Sequence, residues 1–137
     1  MKRPPVLPRG PQHGVALLEV LVAMLIFSIG LLGLLGLQAR AISLSTDAED
    51  RNRAALLANE IASTMWTTRS VSGIATGAGS AWQTRVADVS KDGLPDAQLT
   101  VTPDATNNSA DILITWRPAS RADTNRSQLR TRVVLSL

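Results

Sequence analysis

The stretch Gly14-Val-Ala-Leu-Leu-Glu-Val-Leu-Val-Ala-Met-Leu-Ile-Phe-Ser-Ile-Gly-Leu-Leu-Gly-Leu-Leu-Gly-Leu37 decides the fold. From Val15 to Leu37 it holds 23 residues and one charge, Glu19. At ~1.5 Å of rise per residue this is roughly 34 Å of helix, enough to cross a bilayer core of ~30 Å. Two features set it apart from an ordinary anchor. Gly14 separates a short basic leader from the run, and a carboxylate stands five residues past that glycine, where hydrocarbon makes it costly.

Upstream, residues 1–14 (MKRPPVLPRGPQHG) are basic and hold four prolines, which excludes a continuous helix. Lys2, Arg3 and Arg9 mark this leader as cytoplasmic. His13 is the only histidine and has no nearby partner for metal or acid–base work, so it reads as an incidental leader residue. A secretory signal is one competitor for the apolar run, and Ala39-Arg40-Ala41 resembles its cleavage site. The run exceeds the usual ~7–15 apolar residues of such signals and contains Glu19. An uncleaved anchor accounts for the length but not for the carboxylate. Gly30, Gly33 and Gly36 recur every three residues. They are either ordinary membrane-helix composition or a face for close packing or local melting.

Downstream, residues 38–69 contain no Pro and no Gly, so the helix is expected to continue for about 55 residues in all, ~80 Å if unbroken. Leu44, Ala48, Ala55, Ala58, Ala62 and Met65 recur at helical steps, widened by Leu57 and Ile61, while Asp47, Glu49, Asp50, Arg51, Arg53 and Glu60 fall mostly on other faces. The charge cluster at 47–53 reads as a solvated helix face. Residues 70–80 are rich in Gly and Ser and read as a loop. Strand patterning follows at Trp82–Val89, at Gln98–Thr102, at Asp111–Arg117 with Ile112, Ile114 and Trp116 on one face, and at Gln128–Leu137 with Leu129, Val133, Leu135 and Leu137 on one face and Arg130 and Arg132 opposite. Turn-rich stretches separate them at 91–95, 103–109 and 118–125. The expected architecture is α+β: a long N-terminal helix whose amphipathic half covers an antiparallel meander of three or four strands. The expected division is a leader over 1–14, a transmembrane helix over 15–37, an amphipathic half over 38–69, and a loop with the sheet over 70–137.

The chain has 137 residues, no Cys and no Tyr, and a pI of about 10.6. Without residues 1–14 it carries 11 basic and 11 acidic residues, so a basic footprint for nucleic acid vanishes with the leader. Without Cys or a usable His, without a Gly-rich phosphate loop, and without a placeable carboxylate pair, catalysis has little to stand on, and no cofactor is expected.

Gly14-Val-Ala-Leu-Leu-Glu19 followed by an apolar helix resembles the N-terminal signal of type IV pilins and pseudopilins. The resemblance implies that a prepilin peptidase cuts between Gly14 and Val15 and methylates the new amine of Val15. Val15 and Ala16 stand where that family usually has Phe and Thr; Leu17, Leu18 and Glu19 match as they stand. Glu19 is then one turn from its own new terminus and within reach of a neighbouring subunit's. Pairing those charges in a dry filament core fixes axial register, because a misplaced subunit leaves both unpaired. Snorkelling of Glu19 to the headgroups is the simpler alternative.

Over residues 14–66 the chain resembles the PilV-type minor pilins in its Leu17–Gln38 run, in Ala55-Leu-Leu-Ala-Asn59 and in Met65, with Ile114-Thr-Trp116 a later likeness. The I-type minor pseudopilins of type II secretion share the Leu-Glu-Val-Leu-Val-Ala core; the Ser-Ile-Gly-Leu-Leu-Gly continuation favours the pilus. Such a protein sits in the inner membrane with its C-terminal domain in the periplasm and then enters the fibre. Its implied partners are the peptidase, the inner membrane and other minor and major pilins, with room for a tip adhesin and none for nucleic acid. A membrane-anchored periplasmic enzyme is the different-class alternative.

Two further patterns invite chemistry. Asp88, Ser90, Asp92 and Asp96 are spaced like the start of a calcium loop, but Leu99 stands where the bidentate Glu belongs, and a hairpin turn is the simpler reading. Trp66, Trp82 and Trp116 are candidates for a stacking platform, yet their apolar neighbours favour core packing.

Overall fold

The computed structural model describes residues 13–119 and 125–136. Residues 1–12 of the expected leader over 1–14, the turn residues 120–124 and the inward place of Leu137 lie outside the described residues. In chain order the elements are α1 (His13–Thr68), α2 (Ala81–Ala87), a 3-10 turn (Val89–Lys91), β1 (Gln98–Asp104), β2 (Ser109–Trp116) and β3 (Ser127–Val134). They fall into two bodies, Met1–Ala41 and Ile42–Leu137.

Described residues of the first body are helical throughout, as a run without proline permits. Gly30, Gly33 and Gly36 lie inside this regular helix, with open space around each. The helix is therefore not melted at the glycines in this state. It is long and apolar enough to cross a membrane.

The second body is built where the helix changes from apolar all round to striped. Ala54, Leu57, Ala58, Ile61 and Met65 are buried at three- and four-residue steps. Here the expected stripe needs correction. Leu44 and Ala48 are exposed, Ala55 and Ala62 are only partly buried, and the buried line continues upstream through Asp50. Placing Ala48, Ala55 and Ala62 inward and leaving out Ala54 rotates the stripe, since Ala is tolerated on either face of a helix.

Opposite this stripe is an antiparallel sheet in the order β1-β2-β3. The register sets Leu99 against Ile114 and Val101 against Ile112, and then Ile114 against Leu129 and Ala110 against Val133. Because side chains alternate, this aligns one apolar face across all three strands. Ile112, Ile114 and Trp116 of β2 are buried, as their alternation predicts. They form one core cluster with the α1 stripe and with Val71, Ile74, Val86, Leu94, Ala97, Val133 and Leu135.

Trp82–Val89 is not a strand. It forms α2 and enters the 3-10 turn. Ser80 caps α2, its side-chain oxygen accepting from the Gln83 N–H at 3.2 Å. Ser80-Ala-Trp-Gln83 is a capping-box pattern, so the helix start is written in the sequence. Only Val86 is buried in this single short helix, and so the partial alternation of Trp82, Thr84 and Val86 carried no strand.

The return from α2 to β1 is a tight turn. The Asp88 carbonyl accepts from Lys91 N–H at 3.0 Å and Gly93 N–H at 2.9 Å, and Val86 accepts from Leu94 at 2.8 Å. A Cβ on Gly93 would lie 2.6 Å from the Asp88 oxygen. This glycine is required by close approach of backbone to backbone. Beyond the turn, Arg126 donates to an Asp96 carboxylate oxygen at 2.8 Å, to the Asp96 carbonyl and to Thr115 Oγ1 at 3.3 Å. That guanidinium ties the segment before β1 to β2 and to the approach to β3.

We expect Gly93→Ala to lower stability by ~1–3 kcal/mol, the usual effect of forcing atoms into a filled site. Chemical denaturation of the full chain in detergent should show an earlier midpoint; an unchanged midpoint would mean that the turn yields freely.

Asp50 supplies a second expectation. It is 6% exposed, and its Oδ2 has no hydrogen-bond partner. It stands well past the apolar run that ends at Leu37. Burial raises its pKa, Arg53 opposes the shift, and Asp47 and Glu49 add to it. The penalty for holding the charge is complete above the raised pKa and is relieved as pH falls through it. Asp50→Asn should therefore raise the melting temperature at pH 7 and raise it less as pH falls toward the ordinary carboxylate range. Thermal scans across that interval check the slope.

Candidate processing and assembly site

Residues 14–37 place the sequence-predicted site on one continuous helix. Gly14 is helical, and nothing lies within 4 Å of the position a Cβ would occupy. Val15 is 71% exposed, and Glu19 is exposed one turn later. Residues four apart on a helix are neighbours on one face, about 5–6 Å between Cβ atoms. The structure thus brings Val15 and Glu19 together, as their spacing demands. Val15, Leu18, Glu19, Val22, Ala23 and Ile26 line a shallow open groove along this face, about 420 Å³ in volume. Among the described residues that line it, Glu19 is the only ionisable side chain.

Around the rest of the helix the surface is equally apolar. Sixteen large apolar side chains between Val15 and Leu37 are 47% to 73% exposed. Such a surface far exceeds what a soluble monomer leaves in contact with water. It can be satisfied by lipid or by other apolar helices. A carboxylate at its end is costly in either setting unless a cation meets it.

The calcium-like residues do not converge. Asp88 Oδ1 accepts from the Ser90 N–H at 3.1 Å and from its hydroxyl, and Lys91 Nζ stands 3.7 Å from Oδ2. The Ser90 hydroxyl, above all, lowers the Asp88 pKa. Asp96 instead faces Arg126 at 2.8 Å and Arg117 at 3.6 Å. Among the described residues no group of three or more His, Cys, Asp or Glu is arranged to hold a metal. The turn is a 3-10 turn after α2 rather than the expected hairpin.

The tryptophans do not form a platform. Trp116 is buried in the core, Trp82 is partly buried against it, and Trp66 is 49% exposed. Trp66, with Arg69, Leu135 and Ser136, lines a groove of about 340 Å³. Sequence reasoning did not foresee this groove, because Leu135 and Ser136 reach Trp66 only through the tertiary fold.

On the solvent face of the sheet, Arg130 and Arg132 both reach Asp111. Arg132 donates through Nε at 3.0 Å and Nη2 at 3.2 Å, and Arg130 through Nη2 at 3.1 Å. These two guanidiniums, Arg130 first, hold the Asp111 carboxyl below its ordinary pKa. Two cations thus bond this one carboxylate, and Arg132 is drawn more weakly to Asp104 as well.

Neither the curated proteins nor the solved structures include a match to this chain. Residues 9–35 match the family model described as the prokaryotic N-terminal methylation motif, a type IV pilin-like signal that supports a pilin-like or pseudopilin protein.

Proposed function

We propose that the chain is a minor pilin of a type IV pilus that acts by assembly rather than catalysis. Residues 1–14 are its leader, 15–37 its membrane and assembly helix, 38–69 the amphipathic half of that helix, and 70–137 the remainder of a periplasmic domain. A prepilin peptidase cuts between Gly14 and Val15 and methylates the Val15 amine. The inner membrane holds the precursor until the helix joins other minor and major pilins at the initiation or tip complex of the fibre, with a tip adhesin as a further partner.

One observation carries this reading. Glu19 is the single ionisable side chain on a helix face that is otherwise apolar and bare, and it stands one turn from Val15. After the cut, Val15 bears an ammonium. The carboxylate then has a cation on its own helix and another on any neighbour displaced by one step. The methylation motif over residues 9–35 supports the same reading. The PilV-type assignment rests on the Leu17–Gln38 run, and the shared Leu17–Ala23 core leaves a second reading, an I-type minor pseudopilin of type II secretion. Deleting the gene separates the two, since loss of pili favours the first and loss of secretion the second.

Mass spectrometry of the mature protein should find a terminus at Val15 bearing one methyl group. An intact Met1, or a terminus near Ile42, would overturn the processing reading.

Glu19→Ala should leave membrane insertion intact and strip the buried amine of its partner. Breaking a buried pair costs ~3–5 kcal/mol, so incorporation into sheared fibres should fall by roughly 100-fold or more. Wild-type incorporation of the variant would refute the register role.

A further inference from the structure

We propose that the outer edge of β3 is a docking edge, taking up an extended acidic segment of another polypeptide as a fourth, antiparallel strand. The two edges of the sheet are treated differently. On β1, the Gln83 side chain stands in for a neighbouring strand: its Nε2 donates to the Ala97 carbonyl at 2.8 Å, and its Oε1 accepts from the Leu99 N–H at 2.9 Å. The start of that edge is closed by one amide and by α2. β3 pairs only with β2, and among the described residues no other strand or side chain bonds its backbone.

The groups that β3 presents follow from the bonding phase. Leu135 N–H donates to the Asn108 carbonyl at 2.8 Å, and the β2–β3 register, extended one step, sets these two residues directly opposite. In an antiparallel pair, such bonded positions alternate with positions whose backbone groups turn away. Leu129, Thr131 and Val133 therefore bond β2, and Gln128, Arg130, Arg132 and Val134 point their N–H and C=O groups outward. The β1 side gives the same phase independently. Leu99 turns its N–H to Gln83, so Thr100 and Thr102 bond Leu113 and Asp111, which leaves Ile112 and Ile114 to bond Thr131 and Leu129.

Charge selects the occupant. Arg130 and Arg132 are 71% and 61% exposed; both bond Asp111, and Arg132 is also drawn more weakly to Asp104, so along the β3 edge itself the charge is positive. A fourth strand would set its residues directly opposite these two on the solvent face, where opposite charges stabilise and like charges destabilise a pair. A second copy of β3 is disfavoured. Two-fold antiparallel pairing keeps the same face outward, and the two registers with most overlap set Arg130 against itself or against Arg132. Exposed charge of this kind guards an edge against copies of itself. The same charge admits a strand with Glu or Asp at alternate positions and apolar residues between them, beside Leu129 and Val133.

The test uses the full chain in detergent micelles, with amide exchange followed residue by residue. Two capped octapeptides serve as probes, one alternating Glu with Val and one alternating Lys with Val. The acidic peptide should slow exchange at Gln128, Arg130, Arg132 and Val134 by tenfold or more, and the basic one should not. The double variant Arg130→Glu, Arg132→Glu should reverse that preference. In case crowding around Asp111 loosens this variant, Arg130→Pro removes one outward N–H while keeping Arg132 on Asp111, and should weaken the acidic peptide by tenfold or more. The proposal fails if those four amides are already protected in the free chain, if both peptides or neither bind, or if the acidic peptide binds without protecting them.

Discussion

A sheet that is apolar on one face must bury that face against a second layer. In this protein that layer is the line Ala54, Leu57, Ala58, Ile61 and Met65, and it meets the inward residues of all three strands in one cluster. The rest of the second body follows from this contact. α2 and its turn contribute Val86, Leu94 and Ala97 to the same core. Gln83 then closes the start of β1, and Arg126 fastens the approach to β3. With only the described α1 stripe, α2 and connecting segments to cover the sheet, the face turned away from the helix is left to solvent. The charged row of Asp111, Arg130 and Arg132 lies there.

Legibility in the sequence followed the strength of the local signal. The long helix was readable because 23 nearly uninterrupted apolar residues leave no alternative, and its continuation because no Pro or Gly interrupts residues 38–69. β2 was readable from the alternation of Ile112, Ile114 and Trp116, and β3 from the opposition of Leu129 and Val133 to Arg130 and Arg132. The segment from Trp82 to Val89 misled because a seven-residue helix with one buried residue has almost no periodicity to show. Its capping pattern at Ser80 and Gln83 outweighed an imperfect alternation. Asp50 could not be found by pattern, since burial of a carboxylate contradicts its solvation preference and arises only from the position of the stripe. The closure of β1 by Gln83 and the tie made by Arg126 join residues far apart in sequence, and no local spacing announces either one.

For the candidate site the balance is reversed. Val15 and Glu19 are adjacent because helix geometry makes residues four apart neighbours, so the sequence alone was enough to bring them together. The structure adds their setting: every large side chain from Val15 to Leu37 is bare, and the groove that includes Glu19 is otherwise apolar.

That setting bears on why a carboxylate would be kept there at all. Apolar packing is nearly indifferent to sliding, because one Leu or Val face resembles the next along a helix this uniform. In lipid the indifference is harmless, and Glu19, near the end of the run, can reach the headgroups. In a bundle of such helices it would be ruinous, because nothing in the apolar surface distinguishes one axial position from another. A single buried charge changes this without altering the packing, since only one offset brings a neighbour's cation to it. Under the function proposed here, the apolar helix supplies adhesion and Glu19 supplies position. The separation also accounts for the striped half of the helix, which has to serve a fixed sheet and so carries its register in the shapes of Leu57, Ile61 and Met65 instead of in a charge.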